Sequence, residues 1–439
     1  MQAHKLFKKR FSKSSLRDIY FKYVHYTSST GIDGIIANDK YDYESEIELI
    51  NKKVTSGKYK FSKYKEKLIS KGAGKEPRVI SIPTVRDRIV IKALHLFLQD
   101  VYPASSKTLI PQLMLSNISS EVKKTKYKSF IKVDIKNFYP SIDHDLLLKK
   151  TFKRIRKSEI KSLIEKAIKN NTGNIKPKSG VPQGLAISNI LAEIYLEDLD
   201  FNYKSDKNIS YNRYVDDILV LSKDTRPKKL LDGIISDFSN LKLTCHNYDD
   251  IGSKTKIDRL YKSFDFLGYW IENRKLTVKK ESIWKVENSI AKIINSHKYI
   301  SKPKSYITEN KLNLRITGCI YEGKRRGWLF YYSQLEDETI LYKLDSTVKK
   351  MLKQAKLDKI IKQKKFSKSY KECKRDVLDN HQYIVNFDGY SLPQKRELLT
   401  QFMDPEKVSI LDNQTINSLF SKRVRHLIKD LEEDIRENS

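Results

Sequence analysis

Two adjacent carboxylates, Asp216 and Asp217, set between apolar runs constrain this chain more than any other stretch. Ile209-Ser210-Tyr211-Asn212-Arg213 precedes Tyr214-Val215-Asp216-Asp217, and Ile218-Leu219-Val220-Leu221 follows it. Both flanks have the character of short strands, so the acids fall where a tight turn joins two strands into a hairpin. Neighbouring acids at a tip repel each other unless a cation stands between them, and a divalent metal is the usual one. Ordinary turn chemistry accounts for an Asp-Asp tip as well. The pair therefore needs support from the rest of the chain.

A chain of 439 residues suits two to four packed units, and 39% hydrophobic residues build real cores, which excludes a disordered tail. The net charge of +32, from 86 Lys+Arg against 54 Asp+Glu, opposes compact folding and suits a polyanionic partner. Nucleic acid is the first candidate and a membrane surface the second; a ribosomal-type basic protein has the same balance. The 26 tyrosines and 17 phenylalanines interleaved with lysine favour nucleic acid, because rings stack on bases while cations meet phosphates. Cys245, Cys319 and Cys373 are odd in number and far apart, so neither a disulfide framework nor a zinc site is expected, and Cys245-His246 reads as structural. Met1 to Arg17 is basic without an apolar core, unlike a secretory signal, and no run approaches the roughly 20 apolar residues of a membrane span. A bacterial, reducing cytoplasm is the expected location.

Along the chain, Glu44 to Val54 has helical periodicity, and Lys71 to Pro83 predicts two strands about a glycine turn. That ribbon carries Lys71, Lys75 and Arg78, either a clamp for a triphosphate or a solvated basic hairpin. Ile89 to Leu98 reads as an apolar helix. Phe130 to Ile135 reads as a half-buried strand with Asp134 near its end, able to join the Asp216-Asp217 turn if the segments are adjacent. Asp143 to Ile168 predicts a helix. In Ser179 to Gly184 a Gly-Pro loop enters a second helix, with Gly180 and Gly184 allowing close backbone approach to a ligand and Gln183 placed at that approach. Lys228 to Leu243 predicts a helix and a strand, Ser253 to Lys256 a basic loop, and Phe264 to Trp270 a glycine-broken ribbon. Residues 276–366 read as helical and basic. Leu341, Leu344, Val348, Leu352 and Ile360 form a stripe, and Lys349 to Lys365 holds eight lysines against Asp358 alone. Such a face is either simply solvated or tracks phosphates. Arg325-Arg326-Gly327-Trp328 interleaves cations and aromatics in the same region. Residues 367–439 read as a separate helical piece.

Taken in order, Asp134 with Phe138-Tyr139, Ser179-Gly180-Val181-Pro182-Gln183-Gly184, Tyr214-Val215-Asp216-Asp217, Lys254 and Phe266-Leu267-Gly268-Tyr269 resemble the successive palm motifs of reverse transcriptases. Arg78 to Pro83, Arg86-Asp87-Arg88 and Gly31-Ile32-Asp33-Gly34 are similar to motifs of bacterial enzymes related to group II intron proteins. Within that set the chain most resembles the defence-associated, "unknown group" enzymes. Gly327-Trp328 and Tyr331-Tyr332 look maturase-like, which keeps an intron splicing cofactor open, and a retron enzyme is the other alternative.

The resemblance implies an α+β right-hand polymerase. An N-terminal extension and fingers would cover 1–112, and an antiparallel-sheet palm flanked by helices 113–275, with fingers helices inserted at about 143–178. A basic helical thumb would cover 276–366 and a helical C-terminal extension 367–439. The implied activity is RNA-directed DNA synthesis from a dedicated noncoding RNA in anti-phage defence. The implied partners are that RNA, an RNA/DNA hybrid and dNTPs, with no membrane. Two Mg²⁺ ions about 3.5–4 Å apart, or Mn²⁺ as a substitute, would be held by Asp134, Asp216, Asp217 and the Ile135 carbonyl. Lys71, Arg78, Gln183 and Lys254 would contact the dNTP, with Lys256 an alternative to Lys254, and Tyr139 would exclude a ribose 2′-hydroxyl. Gly184, Arg325, Arg326, Trp328, Lys349, Lys353 and Lys356 would meet nucleic acid. Priming from an RNA end and from a protein hydroxyl both stay open, as does the oligomeric state.

Overall fold

The structure, a computed structural model, describes residues 2–436 apart from 26, 28, 39, 71–73, 75, 107–109, 176, 251, 298–304 and 376–382. It divides into two units, Met1–Leu109 with Lys126–Arg259, and Ile110–Thr125 with Leu260–Ser439. The class is α+β, as the resemblance implies.

The first unit opens with the helices Ala3–Arg10, Lys13–Ile19 and Tyr43–Thr55 and an antiparallel hairpin, β1 (Lys65–Ile69) with β2 (Arg78–Ile82). The helix Val85–Val101 follows, with the Thr84 hydroxyl accepting the Asp87 N–H at its start. Arg86-Asp87-Arg88 stitches this region together. Asp87, 1% exposed, accepts from Tyr59 Oη at 2.7 Å and Ser62 N at 3.0 Å. Arg88 reaches Thr27 Oγ1 at 2.6 Å and the Ser29 carbonyl, and Arg86 pairs with Glu46.

The organising sheet is four-stranded and antiparallel. Its strands are β3 (Ser129–Asp134), β4 (Ile209–Tyr214), β5 (Asp217–Ser222) and β6 (Lys256–Arg259), in the order β4-β5-β3-β6. Every residue of β3 is buried, including Lys132 and Asp134, and Ile218 to Leu221 of β5 form a fully covered apolar run, as central strands do. Edge strand β4 alternates buried and half-buried positions, the period of a sheet with one inward face. Ile131, Val133, Ile218 and Val220 point to one face and join the main core with Ile190, Leu191, Ile194 and Tyr195 of the helix Ser188–Ser205. Each such buried aliphatic contributes roughly 1.5–3 kcal/mol. Asp134 and Asp217 occupy the opposite face.

Two expectations for this unit change. Asp143 to Ile168 is two helices, His144–Thr151 and Ser158–Ile168, because Ile155 turns extended between them to reach the core at 0% exposure. After the helix Lys228–Asn240 no strand forms; Cys245 makes a single antiparallel bridge to Ile135.

The second unit holds the meander β7 (Phe264–Phe266), β8 (Tyr269–Glu272) and β9 (Lys275–Val278), then the helices Lys280–Ser296, Ser305–Thr317 and Thr339–Gln354. The stretch expected to be helical also contains the hairpin β10 (Cys319–Tyr321) with β11 (Lys324–Arg326). Its turn, Glu322-Gly323, has positive φ at both residues, and its two N–H groups donate to the Asp388 carboxylate at 2.7 and 2.8 Å. Strand β12 (Val385–Asn386) pairs in parallel with β10, and Phe420, Val424 and Ile428 of the helix Asn413–Arg436 pack on Leu314, Cys319 and Tyr321. Residues beyond 367 are therefore built into this unit. The Leu341 stripe ends at Leu352; the helix stops at Gln354, Lys356 takes φ +60°, and Ile360 is 55% exposed while Leu357 and Ile361 are buried.

Candidate active site

Tyr214 pairs with Asp217 across the β4-β5 hairpin, leaving Val215 and Asp216 as a two-residue turn. Val215 has φ +58°, a conformation a β-branched residue adopts only under strain of about 1–3 kcal/mol. The acids thus sit where the sequence puts them, one in the turn and one opening β5.

Asp134 ends β3 directly opposite Asp217. Asp134 bonds away from β5, its N–H donating to Thr255 Oγ1 at 3.4 Å and its carbonyl accepting the His246 N–H at 3.0 Å. The Asp134–Asp217 pair is therefore the non-hydrogen-bonded kind, with Cα atoms about 4.5 Å apart and side chains at their closest. The next residue alternates. Lys136 N donates to the Thr244 carbonyl, so Ile135 turns its own carbonyl from Cys245 toward the side of the Asp216-Asp217 turn. Strand register alone gathers three carboxylates and one carbonyl from segments far apart in sequence.

Their electrostatics follow from that gathering. Burial, then the charge of Asp216, pushes the Asp217 carboxyl up to about 6. Asp216 is also raised, by burial and by Asp134, with Lys254 and Arg78 pulling it back. Asp134 accepts from Lys254 Nζ at 3.2 Å and lies 3.2 Å from His246 Nε2. Among the described residues no three acidic, His or Cys side chains stand at the spacing of a formed metal site. Still, hard oxygen donors that repel one another, with Asp216 and Asp217 both pushed toward protonation, fit a divalent ion of the Mg²⁺ type.

Tyr139 is half-buried behind Asp216; its hydroxyl donates to Asn189 Oδ1 at 2.7 Å, and burial followed by the Asp216 charge raises its pKa. The Pro-Gln-Gly loop packs closely on its own chain. Gly180 and Gly184 leave room for other segments of the chain: a Cβ on Gly180 would meet the Pro140 carbonyl oxygen at 2.7 Å, and one on Gly184 would meet the Ile80 side chain at 2.8 Å and the Ser81 carbonyl oxygen at 3.0 Å. The loop is bolted on both sides, by Val181 N to the Tyr139 carbonyl and by Ser81 N to the Gln183 carbonyl. Gln183 is thereby fixed between β2 and Tyr139. Arg78 is exposed on β2, and Lys71 lies outside the described residues. Lys254, not Lys256, reaches Asp134; Lys256 pairs with Lys132 inside the sheet.

The second unit corrects another expectation. Trp328 is 1% exposed, its Nε1 donating to Ser282 Oγ at 3.2 Å, so its ring is core and no stacking platform. Tyr331 and Tyr332 donate to the Leu267 and Gly268 carbonyls, fixing the Phe-Leu-Gly-Tyr turn. Arg325 lies on the Phe330 ring and reaches the Cys373 carbonyl, and Arg326 pairs with Glu322. Lys349, Lys353 and Lys356 are exposed.

Sequence reasoning missed His246, Lys132, Thr255 and Asn189. His246 comes from a connector without periodicity. Lys132, 7% exposed and two residues before Asp134, draws the Asp217 carboxyl down, and only its even spacing on the strand could have signalled it.

Residues 69–271, a little under half of the chain, match the family described as reverse transcriptase (RNA-dependent DNA polymerase). The chain is 25% identical over 276 residues to Protein YkfC of Escherichia coli (strain K12), covering 51% of this chain and 70% of that one. It is 28% identical over 197 residues to the group II intron-encoded protein LtrA of Lactococcus lactis subsp. cremoris, covering 42% of this chain and 33% of that one. A telomerase from Candida albicans with a telomeric RNA fragment aligns at a TM-score of 0.43 and 14% identity, over 84% of this chain and 70% of that one. Over residues 69–271, then, the chain is similar to the reverse transcriptase (RNA-dependent DNA polymerase) family.

Proposed function

We propose that the chain copies RNA into DNA, with Asp134, Asp216 and Asp217 as its catalytic acids. The observation that carries this is the register of β3 on β5, which faces Asp134 with Asp217 beside a turn that presents Asp216. In nucleotidyl transfer a primer 3′-hydroxyl attacks the α-phosphate of a dNTP and pyrophosphate leaves, so catalysis is positioning and charge neutralisation. Asp134, Asp216, Asp217 and the Ile135 carbonyl would hold a pair of Mg²⁺ ions, or Mn²⁺ in their place. When bound, such ions neutralise the triphosphate and make the attacking hydroxyl more acidic. Arg78 offers a planar fork to phosphate oxygens from β2. Tyr139, held by Asn189, fills the space of a 2′-hydroxyl, and Gln183 faces the incoming nucleotide. Lys254 neutralises Asp134 in the metal-free protein and is free to swing to the triphosphate, since 65% of its side chain is exposed.

The template we propose is a dedicated noncoding RNA, held as an RNA/DNA hybrid, in anti-phage defence; the motif resemblance supports the defence role. The similarity to an intron-encoded protein favours a second reading, a cofactor of intron RNA. Primer extension on RNA with dNTPs or rNTPs, together with sequencing of RNA and cDNA recovered with the chain, tests both. The first reading expects dNTP incorporation and one recurrent noncoding RNA with complementary DNA. Recovery of intron RNA without cDNA would reject it in favour of the second.

A further inference from the structure

Arg213 uses every N–H it has. A guanidinium carries five, and here Nε donates to Asp200 Oδ1 at 2.8 Å, Nη2 to Asp200 Oδ2 and to Glu193 Oε2 at 2.6 Å, and Nη1 to Glu193 Oε1 at 3.2 Å and to the Val215 carbonyl at 2.9 Å. Its side chain is 2% exposed, and those of Glu193 and Asp200 are 16% and 13%. Glu193 and Asp200 lie two turns apart on the helix Ser188–Ser205, so one helix face supplies both acids. Asp200 is fixed in turn by Tyr211 Oη at 3.0 Å, whose ring stacks on Tyr203.

We propose that Arg213 is a positioning residue for the catalytic turn: it ties the strained Val215-Asp216 tip to the helix beneath, so that Asp216 is presented to the metal ions in one geometry. The proposal rests on the polymerase reading above. A buried ion triad is a poor route to stability, because desolvation offsets its attraction. It is a good route to a fixed position. Arg213 stands opposite Ile218 on the core face, whereas the carboxylates face the other way. The side chain therefore reaches the turn from below, touches neither substrate nor the acids of the site, and fixes the one carbonyl between Tyr214 and Asp216. Val215 at φ +58° would relax if that carbonyl were released. Lysine cannot replace this device, since its three donors diverge from a point and cannot span two carboxylates and a carbonyl at once.

Arg213→Lys keeps a positive charge between the acids and removes the fork. In the full-length chain, primer extension by Arg213→Lys should show kcat lower by about 10- to 100-fold with the dNTP KM within about threefold. Mn²⁺ titrated into the chain without nucleic acid, followed by its EPR signal, should bind roughly tenfold more weakly than in wild type. An Arg213→Lys chain that melts like wild type and keeps both its kcat and its Mn²⁺ affinity overturns the proposal. If that variant does not fold, Glu193→Gln, which leaves the Arg213–Asp200 pair, decides: weaker Mn²⁺ binding supports the proposal and unchanged binding overturns it. A wild-type chain that binds Mn²⁺ yet extends no primer refutes the polymerase reading alone, and the Mn²⁺ arm still judges Arg213. A wild-type chain that binds no Mn²⁺ overturns both.

Discussion

Burial and the charge of Asp216 push Asp217 up to about 6, from an ordinary value of 3.8, and this sets how the metal-free chain responds to pH. Between those values the folded chain keeps a proton that the unfolded chain has released, so stability falls as pH rises through the window. The loss has an upper bound of about 3 kcal/mol. In thermal melts without metal, Asp217→Asn should flatten this decline, and Mg²⁺ should raise the wild-type midpoint more at pH 7.5 than at pH 5. Parallel profiles for the variant and wild type would contradict the assignment. At Tyr139 the relevant partner is Asn189, 2.7 Å from its hydroxyl. Losing one such bond shifts an equilibrium by about 0.5–1.5 kcal/mol, so Asn189→Ala should reduce discrimination against rNTPs by about 2- to 10-fold, less than Tyr139→Ala. Discrimination equal to wild type would separate Asn189 from the sugar gate.

Among elements, the Pro-Gln-Gly loop shows what local chemistry conveys and what it does not. Its glycines were legible as sites of close approach, but the neighbours that demand them, Pro140 and the β2 backbone, come from other segments. Gly184 has φ +98° and stands 3.0 Å, by its missing Cβ, from the Ser81 carbonyl oxygen. Gly184→Ala should therefore destabilise the chain by on the order of 1–3 kcal/mol, read as a lower melting midpoint. An unchanged midpoint would mean that the loop is not docked on β2. The Asp216-Asp217 hairpin was legible because apolar runs about a two-residue turn specify their own pairing, and β3 was legible as a strand but not in its partner, which lies far along the chain. His246 was not, because it enters through a connector held by one bridge to Ile135. Trp328 misled for another reason: Arg-Arg-Gly-Trp reads alike on a surface and over a core, and only Ser282 and Phe366 beside its ring decide between them. Ile360 was overcounted because a helical stripe does not announce where Lys356 will break it.

At the scale of the whole molecule, a net charge of +32 should make the proposed nucleic-acid binding depend on salt. Replacing Lys349, Lys353 and Lys356 together with Glu should make the dependence of log affinity on log salt shallower by about one for each phosphate that those lysines neutralise. An unchanged slope would return those lysines to a merely solvated face. No helix among the described residues is long and apolar enough to cross a membrane. Polymerase activity, as proposed, depends on the three acids that strand register brings together. Primer extension on an RNA template, comparing wild type with the combined Asp216→Ala and Asp217→Ala chain at equal folding and equal hybrid affinity, tests it most directly. Wild type should synthesise DNA only with Mg²⁺ and the double variant should synthesise none; synthesis at the wild-type rate in the double variant would contradict catalysis by these acids.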